Sequence, residues 1–481
     1  MKKGRLLVKV LFAASEAVPF FASGGLADVA GSLPNELCRL GHDVRVVLPF
    51  YKDVIKPEIV EKMTFVADYT VKLSWRELYC GLFTLEHDGV TYYFIDNEFY
   101  FARVGLYGYG DDPERFAFFS KAILESLKYM SFKPQIIHAN DWQTALISVY
   151  YRLEYRKRPG YSNIKHMLTV HNINYQGIMP IESSEDLFGI SFFDNELVKY
   201  DNQFNMLKAG MEASQLITTV SPSYAKEILE PYFSAGLHNY LKERDYKIVG
   251  ILNGIDYKKN DPETDENIYA NYSVKDLKGK AVNKKELVES FNMDYHADVP
   301  VIGMVSRLVK HKGFDLLEAD FEGILRTGAQ LIILGSGEQN YENFLRYMSH
   351  KYPNQVGLML GFIPELAMKI YAGADMFLMP SSTEPCGLAQ MIALRYGTIP
   401  IVRSTGGLKD SIIDYSKENA NGFSFEEYST IQMVGTICRA VDLFKEPKKW
   451  RELAERAMKC DFSWTHSANE YIDVYKKLLT L

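Results

Sequence analysis

The sequence predicts an α/β protein with two parallel-sheet domains of similar size. Short apolar, β-rich segments alternate with helix-like stretches along most of the 481 residues, a pattern typical of parallel sheets covered by helices. This alternation runs twice, in two series separated by a polar stretch of weak periodicity at 256–298. Two domains also fit the length, since one domain spans about 100–200 residues. The sequence therefore predicts a first domain at 1–255, a second at 256–462, and a cleft between the carboxyl ends of their strands.

The first series contains six predicted strands with helical patterns between them. Glu114 to Met130 is an example, with Phe116, Phe119 and Ile123 at three- and four-residue spacing. The predicted strands are 6–13, 43–48, 91–95, 135–139, 166–170 and 215–220.

The second series repeats this organisation after a boundary near 254–256. Its predicted strands are 299–305, 330–334, 355–360, 375–379, 398–402 and 422–425. A final helix is expected at 463–481, where Tyr471, Val474, Tyr475 and Leu478 form one apolar stripe.

Composition and charge narrow the classes of function. A formal net charge of -7 argues against a dedicated nucleic-acid surface, and no apolar run approaches the ~18–20 residues that a membrane span requires. The basic first residues resemble a signal peptide, but alternation at Val8, Val10 and Phe12 favours a first strand. Five scattered cysteines without a CxxC pair fit a reducing compartment. We expect a cytoplasmic protein.

A glycine pair follows the first predicted strand, in the sequence SEAVPFFASGGLAD. Gly24 and Gly25 let the backbone approach a ligand, and the amides of the following helix favour an anion. The spacing is not the GxGxxG dinucleotide fingerprint, which disfavours a nicotinamide dehydrogenase. The alternative is an ordinary loop in which the glycines only allow the backbone to turn.

Polar residues also follow two further predicted strands, in HANDW and TVHNINYQG. Asp141, His171 and Asn172 offer a carboxylate, an imidazole and an amide that can bind sugar hydroxyls. The alternatives are that Asp141 caps the next helix and that the histidine is structural. His138, at an apolar strand end, is expected to be buried and structural.

The second domain opens on VSRLVKHKG, in which Arg307 and Lys312 follow a strand. A guanidinium and an ammonium at this place can neutralise a diphosphate leaving group. The alternative is a solvated basic turn formed by Lys310, His311 and Lys312.

A second acidic candidate lies in PSSTEPCGL, before a helix at 389–395. Glu384 stands at a strand end and can contact a sugar ring, while the amides of Gly387 and Leu388 favour an anion. The alternative is that Glu384 is a charge favoured by the helix dipole. Cys386 is expected to be a small packing residue. A second glycine pair follows in STGGLKD, and LGSGE carries a weaker two-glycine signal.

Taken together, these motifs resemble the bacterial glycogen synthases and plant starch synthases, from end to end. The resemblance rests on SGGLADVAGSLP, YGDDPERFAFFSKA, HANDWQT, TVHNINYQG, ILNGID, VSRLVKHKG, EPCGL and RYGTIPIVRSTGGLKD. It implies the GT-B fold, in which two Rossmann-like domains face each other across a deep cleft. It also implies that the helix at 463–481 crosses back to the first domain. The implied activity is retaining transfer of glucose from ADP-glucose to the non-reducing end of an α-1,4-glucan. The implied partners are these two substrates, with no metal, cofactor, nucleic acid or membrane.

The same resemblance assigns roles to individual residues. Arg307 and Lys312 hold the donor diphosphate, and Glu384 contacts the transferred glucose. His171 lies beside the glucose 6-hydroxyl and the reacting carbon, and Asp141 lines the sugar or acceptor site. The other implied substrate-binding positions are Ser23, Gly24, Gly25, Asp28, Asn172, Asn253, Phe362, Cys386, Gly387, Leu388, Thr405, Gly406 and Gly407.

Two positions depart from the family pattern. Ala22 stands where a lysine is usual, and Ala389 stands where threonine or serine is usual; both positions are associated with the donor phosphates. These departures leave open a different donor such as UDP-glucose, or a catalytically weak or silent glucan-binding protein. A glucan phosphorylase is a further alternative, and it would show the visible absorbance of pyridoxal phosphate. Retention requires a carboxylate nucleophile or same-face attack, and the absence of an obvious nucleophile favours same-face attack.

Overall fold

A computed structural model describes residues 7–481, which group into two units, each built around its own mainly parallel sheet. The first unit holds the residues up to Val220, Ala225–Ile251 and Trp464–Leu481. The second holds Ser221–Tyr224 and Leu252–Ser463. The division after Ile251 lies four residues before the predicted boundary, and the Ser221–Tyr224 segment, placed in the first domain by the sequence, groups with the second unit.

The first unit contains a nine-stranded sheet in the order β12-β11-β7-β6-β1-β2-β5-β4-β3, and a small sheet β8-β10-β9. Neighbouring strands from β12 to β5 pair in parallel. The strands are β1 (Lys9–Ala13), β2 (Asp43–Pro49), β3 (Thr64–Leu73), β4 (Arg76–His87), β5 (Val90–Asp96), β6 (Ile136–Asn140), β7 (Lys165–Val170), β8 (Ile178–Pro180), β9 (Lys199–Tyr200), β10 (Gln203–Asn205), β11 (Leu216–Thr219) and β12 (Ile248–Gly250).

All six strands predicted for the first half are present, within a few residues of the predicted bounds. Residue 6, where the first of them was expected to begin, lies outside the described residues. The hairpin of β3 and β4 was not predicted. It adds two antiparallel strands to the sheet beside β5, and several positions along β3 alternate between exposed and buried, as in a strand with one solvated face.

The helices associated with this sheet include the predicted one after residue 114, which spans Asp112–Ser126. They are α1 (Gly25–Arg39), α2 (Pro57–Val60), α3 (Glu98–Phe101), α4 (Asp112–Ser126), α5 (Trp142–Tyr150), α6 (Ser183–Asp186), α7 (Asn195–Val198), α8 (Met206–Ala213), α9 (Pro222–Glu227) and α10 (His238–Lys242). The first three residues of α9 group with the second unit. A π-helical turn at Tyr151–Tyr155 and 3₁₀ turns at Phe192–Asp194 and Asp245–Lys247 complete the set.

The second unit contains an all-parallel sheet in the order β15-β14-β13-β16-β17-β18. All six predicted strands are present: β13 (Val301–Val305), β14 (Gln330–Gly335), β15 (Val356–Leu360), β16 (Met376–Met379), β17 (Ile399–Arg403) and β18 (Phe423–Phe425). The order corresponds to 3-2-1-4-5-6, the doubly wound arrangement. Apolar residues on both faces of this sheet form two buried clusters.

Nine helices of the described chain follow in this unit, and a 3₁₀ turn at Lys310–Lys312 precedes the second of them. They are α11 (Lys278–Ser290), α12 (Phe314–Ala319), α13 (Phe321–Leu325), α14 (Gln339–Lys351), α15 (Pro364–Gly373), α16 (Ala389–Arg395), α17 (Gly406–Ser411), α18 (Thr430–Phe444) and α19 (Pro447–Met458).

The last helix, α20 (Trp464–Thr480), packs against α1 in the first unit. Tyr471, Tyr475 and Leu478 of the predicted stripe are buried. The Tyr475 hydroxyl is bonded to Nδ1 of His138, on β6, at 2.8 Å. Residues from two distant parts of the chain thus complete one core.

The search for membrane-spanning segments covered the described residues. It found no helix there that is both long and apolar enough to cross a bilayer.

Candidate active site

Each unit has one place where the order of its strands reverses, and ligands of open α/β sheets bind outside the strand ends at such a point. In the second unit the reversal lies between β13 and β16, and in the first between β1 and β6. Four of the five candidate catalytic residues lie in the loops that follow these strands. Arg307 and Lys312 come after β13, Glu384 after β16, and Asp141 after β6.

The second-unit candidates include a close ion pair. Nζ of Lys312 lies 2.6 Å from Oε2 of Glu384, and the Ser381 hydroxyl donates to the same oxygen at 3.0 Å. Glu384 is buried, whereas the Lys312 side chain keeps 20% of its surface exposed. The pair therefore joins a fixed carboxylate to an ammonium that still reaches solvent, where it can meet an anionic ligand.

The turn that carries Lys312 is held by backbone contacts with the Glu384 loop. Gly313 has a φ of +86°, and a Cβ there would collide with the carbonyl of Pro380. The amide of Ser382 donates to the His311 carbonyl at 2.9 Å. Because these contacts fix both loops, they also fix the Lys312–Glu384 distance.

Arg307 lies at the start of the same loop with its side chain exposed to solvent. Among residues 7–481 no ion pair is described for its guanidinium. The positive charge of Arg307 nevertheless affects a neighbouring histidine. The pKa of His311 is lowered mainly by burial and then by the positive charges of Lys312 and Arg307. The loop is thus a positively charged region, in which, as far as residues 7–481 show, Lys312 is the cation with an ion-pair partner.

The second glycine pair is required by close packing of the chain. A Cβ on Gly406 would overlap the carbonyl of Glu384, and one on Gly407 would overlap the carbonyl of Cys386. Gly406 also has a φ of +46°, and the Gly407 amide donates to the Glu384 carbonyl at 3.1 Å. These glycines, next to the buried Thr405, hold the Glu384 loop in place.

The remaining second-unit candidates surround this loop. Cys386 is buried, accepts a hydrogen bond from the Asn253 amide, and has its pKa raised to about 12 by burial. That environment suits the predicted packing role. The side-chain oxygen of Asn253 is buried without a partner within the described chain, so it is available to a ligand. Gly387 has a φ of +72°, and Leu388 precedes α16. Phe362 follows β15 and is 90% exposed.

In the first unit, the side chain of Asp141 is bonded to the backbone of His171, and the His171 ring is bonded to Asn140. Oδ1 of Asp141 accepts from the His171 amide at 2.7 Å, and the Asn172 amide also donates to this carboxyl group. Nε2 of His171 lies 2.9 Å from Oδ1 of the buried Asn140. Asp141 occupies the N-cap position of α5 but makes no side-chain cap bond. It organises the loop after β7 and does not cap the helix.

Burial keeps both first-unit groups close to neutrality. It raises the pKa of Asp141 to about 7 and lowers that of His171 to about 3. The bonds from the His171 and Asn172 amides oppose the shift of Asp141, and the nearby carboxyl group of Glu16 adds to it. A neutral imidazole and a weakly acidic carboxyl group suit hydrogen bonds to hydroxyls better than ion pairs.

The first glycine pair has a different environment. Ser23, Gly24 and Gly25 are exposed, and Asp28 is half-buried in the first turn of α1. A Cβ on Gly25 would meet no atom within 4 Å, and one on Gly24 would lie 3.9 Å from Oε1 of Glu16. Neither glycine is required by the chain around it, so the open space here remains available to a ligand.

Glu16 and Asn140 were not among the predicted site residues. Glu16 is 3% exposed and accepts from the Ser23 amide at 2.5 Å. Asn140 links β1 to β6 by donating to the Ala13 carbonyl at 3.0 Å. Both residues lie inside motifs that the sequence had marked. The sequence signal that could have identified them is a polar residue at the end of an apolar strand or just after it.

His138 takes the structural role expected of it. It is fully buried, and its two ring nitrogens are bonded to Tyr475 and Thr169. Gly335 and Gly337, the weaker two-glycine signal, allow close backbone packing against Ser306 and Leu308. Within residues 7–481, no group of three or more His, Cys, Asp or Glu side chains is arranged to hold a metal ion.

Comparisons with known proteins agree with this architecture. The chain matches the starch synthase catalytic domain model over residues 9–243 and the glycosyl transferases group 1 model over 290–457. Sucrose-phosphate synthase from Thermosynechococcus elongatus has the same fold, with a TM-score of 0.61 at 15% identity over 98% of this chain and 99% of that one. The protein is a glycosyltransferase of the GT-B fold class.

Closer relatives define the family. Glycogen synthase of Desulforamulus reducens is 46% identical over 98% of this chain and 99% of the relative, and that of Geobacillus stearothermophilus is 46% identical over 98% of each. The catalytic domain of starch synthase IV from Arabidopsis thaliana, bound to ADP and acarbose, is 32% identical. Its TM-score is 0.91 over 99% of this chain and 100% of that one. The chain belongs to the glycogen and starch synthase family.

Proposed function

We propose that the protein elongates an α-1,4-glucan at its non-reducing end by transferring glucose from ADP-glucose with retention of configuration. The observation that carries this proposal is the Lys312–Glu384 pair, fixed at the strand-order reversal of the second unit in a chain of this family. The structural relative from Arabidopsis thaliana binds ADP and acarbose, which supports a nucleotide donor and a glucan acceptor here.

Donor binding is assigned to the second unit. Lys312 and Arg307 supply positive charge for the diphosphate, with the amides of Gly387 and Leu388 beside them. Glu384 is already paired with Lys312 and bonded to Ser381, so its carboxylate is placed to accept from a glucose hydroxyl. The unpartnered oxygen of Asn253 offers a second acceptor for the sugar.

The chemical step is same-face displacement at the anomeric carbon. The bond from that carbon to the diphosphate oxygen breaks, and a new bond forms to the 4-hydroxyl oxygen of the acceptor. The departing phosphate oxygen takes the proton of that hydroxyl, so ADP and a lengthened glucan are the products. Lys312 and Arg307 stabilise the negative charge that grows on the diphosphate as the bond breaks.

Sugar recognition is assigned to the first-unit groups. His171 is neutral near pH 7 because burial lowers its pKa to about 3, and it can therefore exchange hydrogen bonds with a hydroxyl. Asp141 holds the His171 and Asn172 amides and so fixes the loop on which this recognition depends.

The test is nucleotide release from purified protein with glycogen and either ADP-glucose or UDP-glucose. We expect ADP release, incorporation of glucose into glycogen, and an α-linked product by NMR. Faster release from UDP-glucose would overturn the donor assignment but not the transferase. No release with either donor would overturn the proposed function.

A second candidate function is a glucan-binding protein without transfer activity, favoured by Ala22 and Ala389 at positions associated with the donor phosphates. One lost charged hydrogen bond costs about 1.5–3 kcal/mol, or more than tenfold in affinity. This candidate predicts retention on a glycogen column with no nucleotide release, which the same preparations can decide.

A further inference from the structure

The side chain of Gln390, on α16, is bonded to the backbone of the loop that follows β16. Its Nε2 donates to the Cys386 carbonyl at 3.1 Å and to the Gly387 carbonyl at 2.9 Å. It also lies 3.1 Å from the Ser411 hydroxyl, which in turn donates to the Gly407 carbonyl at 2.6 Å. Gln390 has no exposed surface, so these bonds are made away from water, where an unmade bond costs most.

The two carbonyls fix the direction of the two amides that follow them in the chain. In a trans peptide the C=O and N–H groups point in opposite directions, and both of these peptides are trans. Because the carbonyls of Cys386 and Gly387 point to Gln390, the amides of Gly387 and Leu388 point away from it. Both residues are partly exposed, and among residues 7–481 neither amide donates a hydrogen bond.

The backbone conformation brings these amides to one side of the loop. Gly387 has a φ of +72°, and Leu388 has a φ of -111° and a ψ of -31°. Successive residues of left- and right-handed conformation turn their N–H groups to the same side and form a concavity that suits an anion. A Cβ on Gly387 would lie 2.5 Å from Oε1 of Gln390. The glutamine thus closes the buried side of the turn, and the amides face the other side.

We propose that Gln390 is a positioning residue, which directs the amides of Gly387 and Leu388 to the diphosphate of the donor. Because the side chain holds the loop in this conformation before a ligand arrives, the amides bind the phosphate without reorganisation. Ala389, the next residue, has no hydroxyl to add, so the two amides carry more of the phosphate binding. This inference rests on the proposed function and names the residue that prepares the loop for the donor.

The experiment compares Gln390→Met with the wild type and with Gln330→Met. Gln330 is a matched control, because it is a buried glutamine of the same unit whose Nε2 also donates to two carbonyls, those of Asp294 and Asn354, at 2.9 and 3.0 Å. Oε1 has no partner within the described chain in either glutamine. Gln330 begins β14, and it therefore lies at the end of the strand opposite to the ligand end.

We expect the Kd of ADP, measured by calorimetry, to rise about tenfold or more in Gln390→Met, as for the loss of at least one charged hydrogen bond. The ³¹P signals of bound ADP should move toward those of free ADP in the same variant. Gln330→Met should keep the Kd within about twofold of wild type and the ³¹P signals unchanged. Both variants are expected to melt at a lower temperature, so melting alone does not separate them.

Gln390→Glu gives a second readout, which also serves if Gln390→Met does not fold. The introduced carboxyl group can donate one bond to a carbonyl while it is protonated, and it repels both carbonyls when it is ionised. Burial favours the protonated form. We therefore expect the loss of ADP affinity, relative to wild type at the same pH, to be at least about threefold smaller at pH 6 than at pH 8.

An ADP affinity of Gln390→Met within twofold of wild type would overturn the proposal, as would equal losses in Gln390→Met and Gln330→Met. A loss in Gln390→Glu that does not change with pH would also overturn it. If the wild type binds UDP more tightly than ADP, the same titrations are made with UDP, and binding of neither would contradict the proposal. Wild-type protein that binds ADP but transfers no glucose would contradict the proposed function, while the affinities would still decide the role of Gln390.

Discussion

Each unit has a buried glutamate in the loop after a strand at its reversal point, and each glutamate lies beside a glycine pair. The contacts of the glutamate and of the glycine pair differ between the two units. In the second unit, Glu384 is paired with a cation, and its carbonyl packs against Gly406, where a side chain would collide. In the first unit, Glu16 is bonded to its own loop, and Gly25 faces open space. The glycine pair of the second unit permits close backbone packing, and that of the first unit leaves space for a ligand.

This difference bears on how a glycine pair should be interpreted. SGGL and TGGL are similar sequences. A glycine in a sequence shows that the position has no side chain, but it does not show why. The structure distinguishes a missing side chain that permits backbone packing from one that leaves a surface open. The two pairs should therefore respond differently to the same substitution.

The largest expected effect belongs to the charged pair of the second unit. Lys312→Ala removes the ammonium placed to stabilise the leaving diphosphate, and we expect kcat to fall about 10²–10³-fold. Lys310→Ala, in the same 3₁₀ turn and exposed, is the control and should retain wild-type turnover. Equal activity of the two variants would remove Lys312 from the mechanism. Melting curves separate lost chemistry from lost folding.

Next in size is the contrast between the two glycine pairs. Gly407→Ala places a Cβ against the Cys386 carbonyl, and we expect a loss of about 3 kcal/mol or more in the free energy of unfolding. Gly25→Ala has room and should unfold within about 1 kcal/mol of wild type, while its transfer rate falls about tenfold because the methyl group enters the open space. Denaturant titration and the transfer assay give the two quantities.

Equal destabilisation by the two alanines would abolish the comparison. Gly435→Ala, inside α18 with nothing within 4 Å, is a control for helix propensity and should not destabilise.

A smaller effect is expected from the acidic group that the first unit holds near neutrality. The pKa of Asp141 in the folded protein is about 7, above its ordinary value of 3.8, because of burial. Protonation of Asp141 therefore stabilises the fold below pH 4, and this contribution is lost as the pH rises to about 7. We expect Asp141→Asn to gain about 1–3 kcal/mol of unfolding free energy relative to wild type between pH 4 and pH 8. Parallel stability curves for the two proteins over that range would contradict the assignment.

The smallest effect comes from adding a cation to the first unit. Ala22→Lys places an ammonium beside the exposed glycine-pair loop, and we expect the KM for ADP-glucose to fall by up to about tenfold at low salt. Since the new charge is solvated, the gain should shrink at high ionic strength. Ala22→Gln has similar length without charge and should leave KM unchanged. A salt-independent gain would indicate a contact other than charge.

The parallel core could be predicted because its signal is local. Buried parallel strands are short apolar runs, and the second-unit strands were all located from such runs, from Val301 to Phe425. The β3–β4 hairpin was missed because it is partly solvated and mixes polar with apolar residues, as at Asp68 and Lys72. Nothing in those residues alone indicated that the hairpin joins the sheet through pairing of β4 with β5.

The candidate site was predicted unevenly for a similar reason. Lys312 and Glu384 lie 72 positions apart, and their pairing follows from strand order, which brings β13 next to β16. The motifs marked both residues but not their contact. Glu16 was overlooked because its role depends on burial under a loop that is itself exposed, and burial of a charged residue is not visible in composition.

Helix α20 has a consequence for the order in which the protein assembles. It completes the first unit, yet it is synthesised after every residue of the second. His138 therefore has no Tyr475 hydroxyl to bond with until the end of synthesis. Domains generally fold as units while the ribosome is still adding residues. The first unit, whose synthesis begins first, must therefore be the last to complete its folding. A nascent chain stopped before residue 464 would contain all of the second unit, whereas its first unit would lack α20.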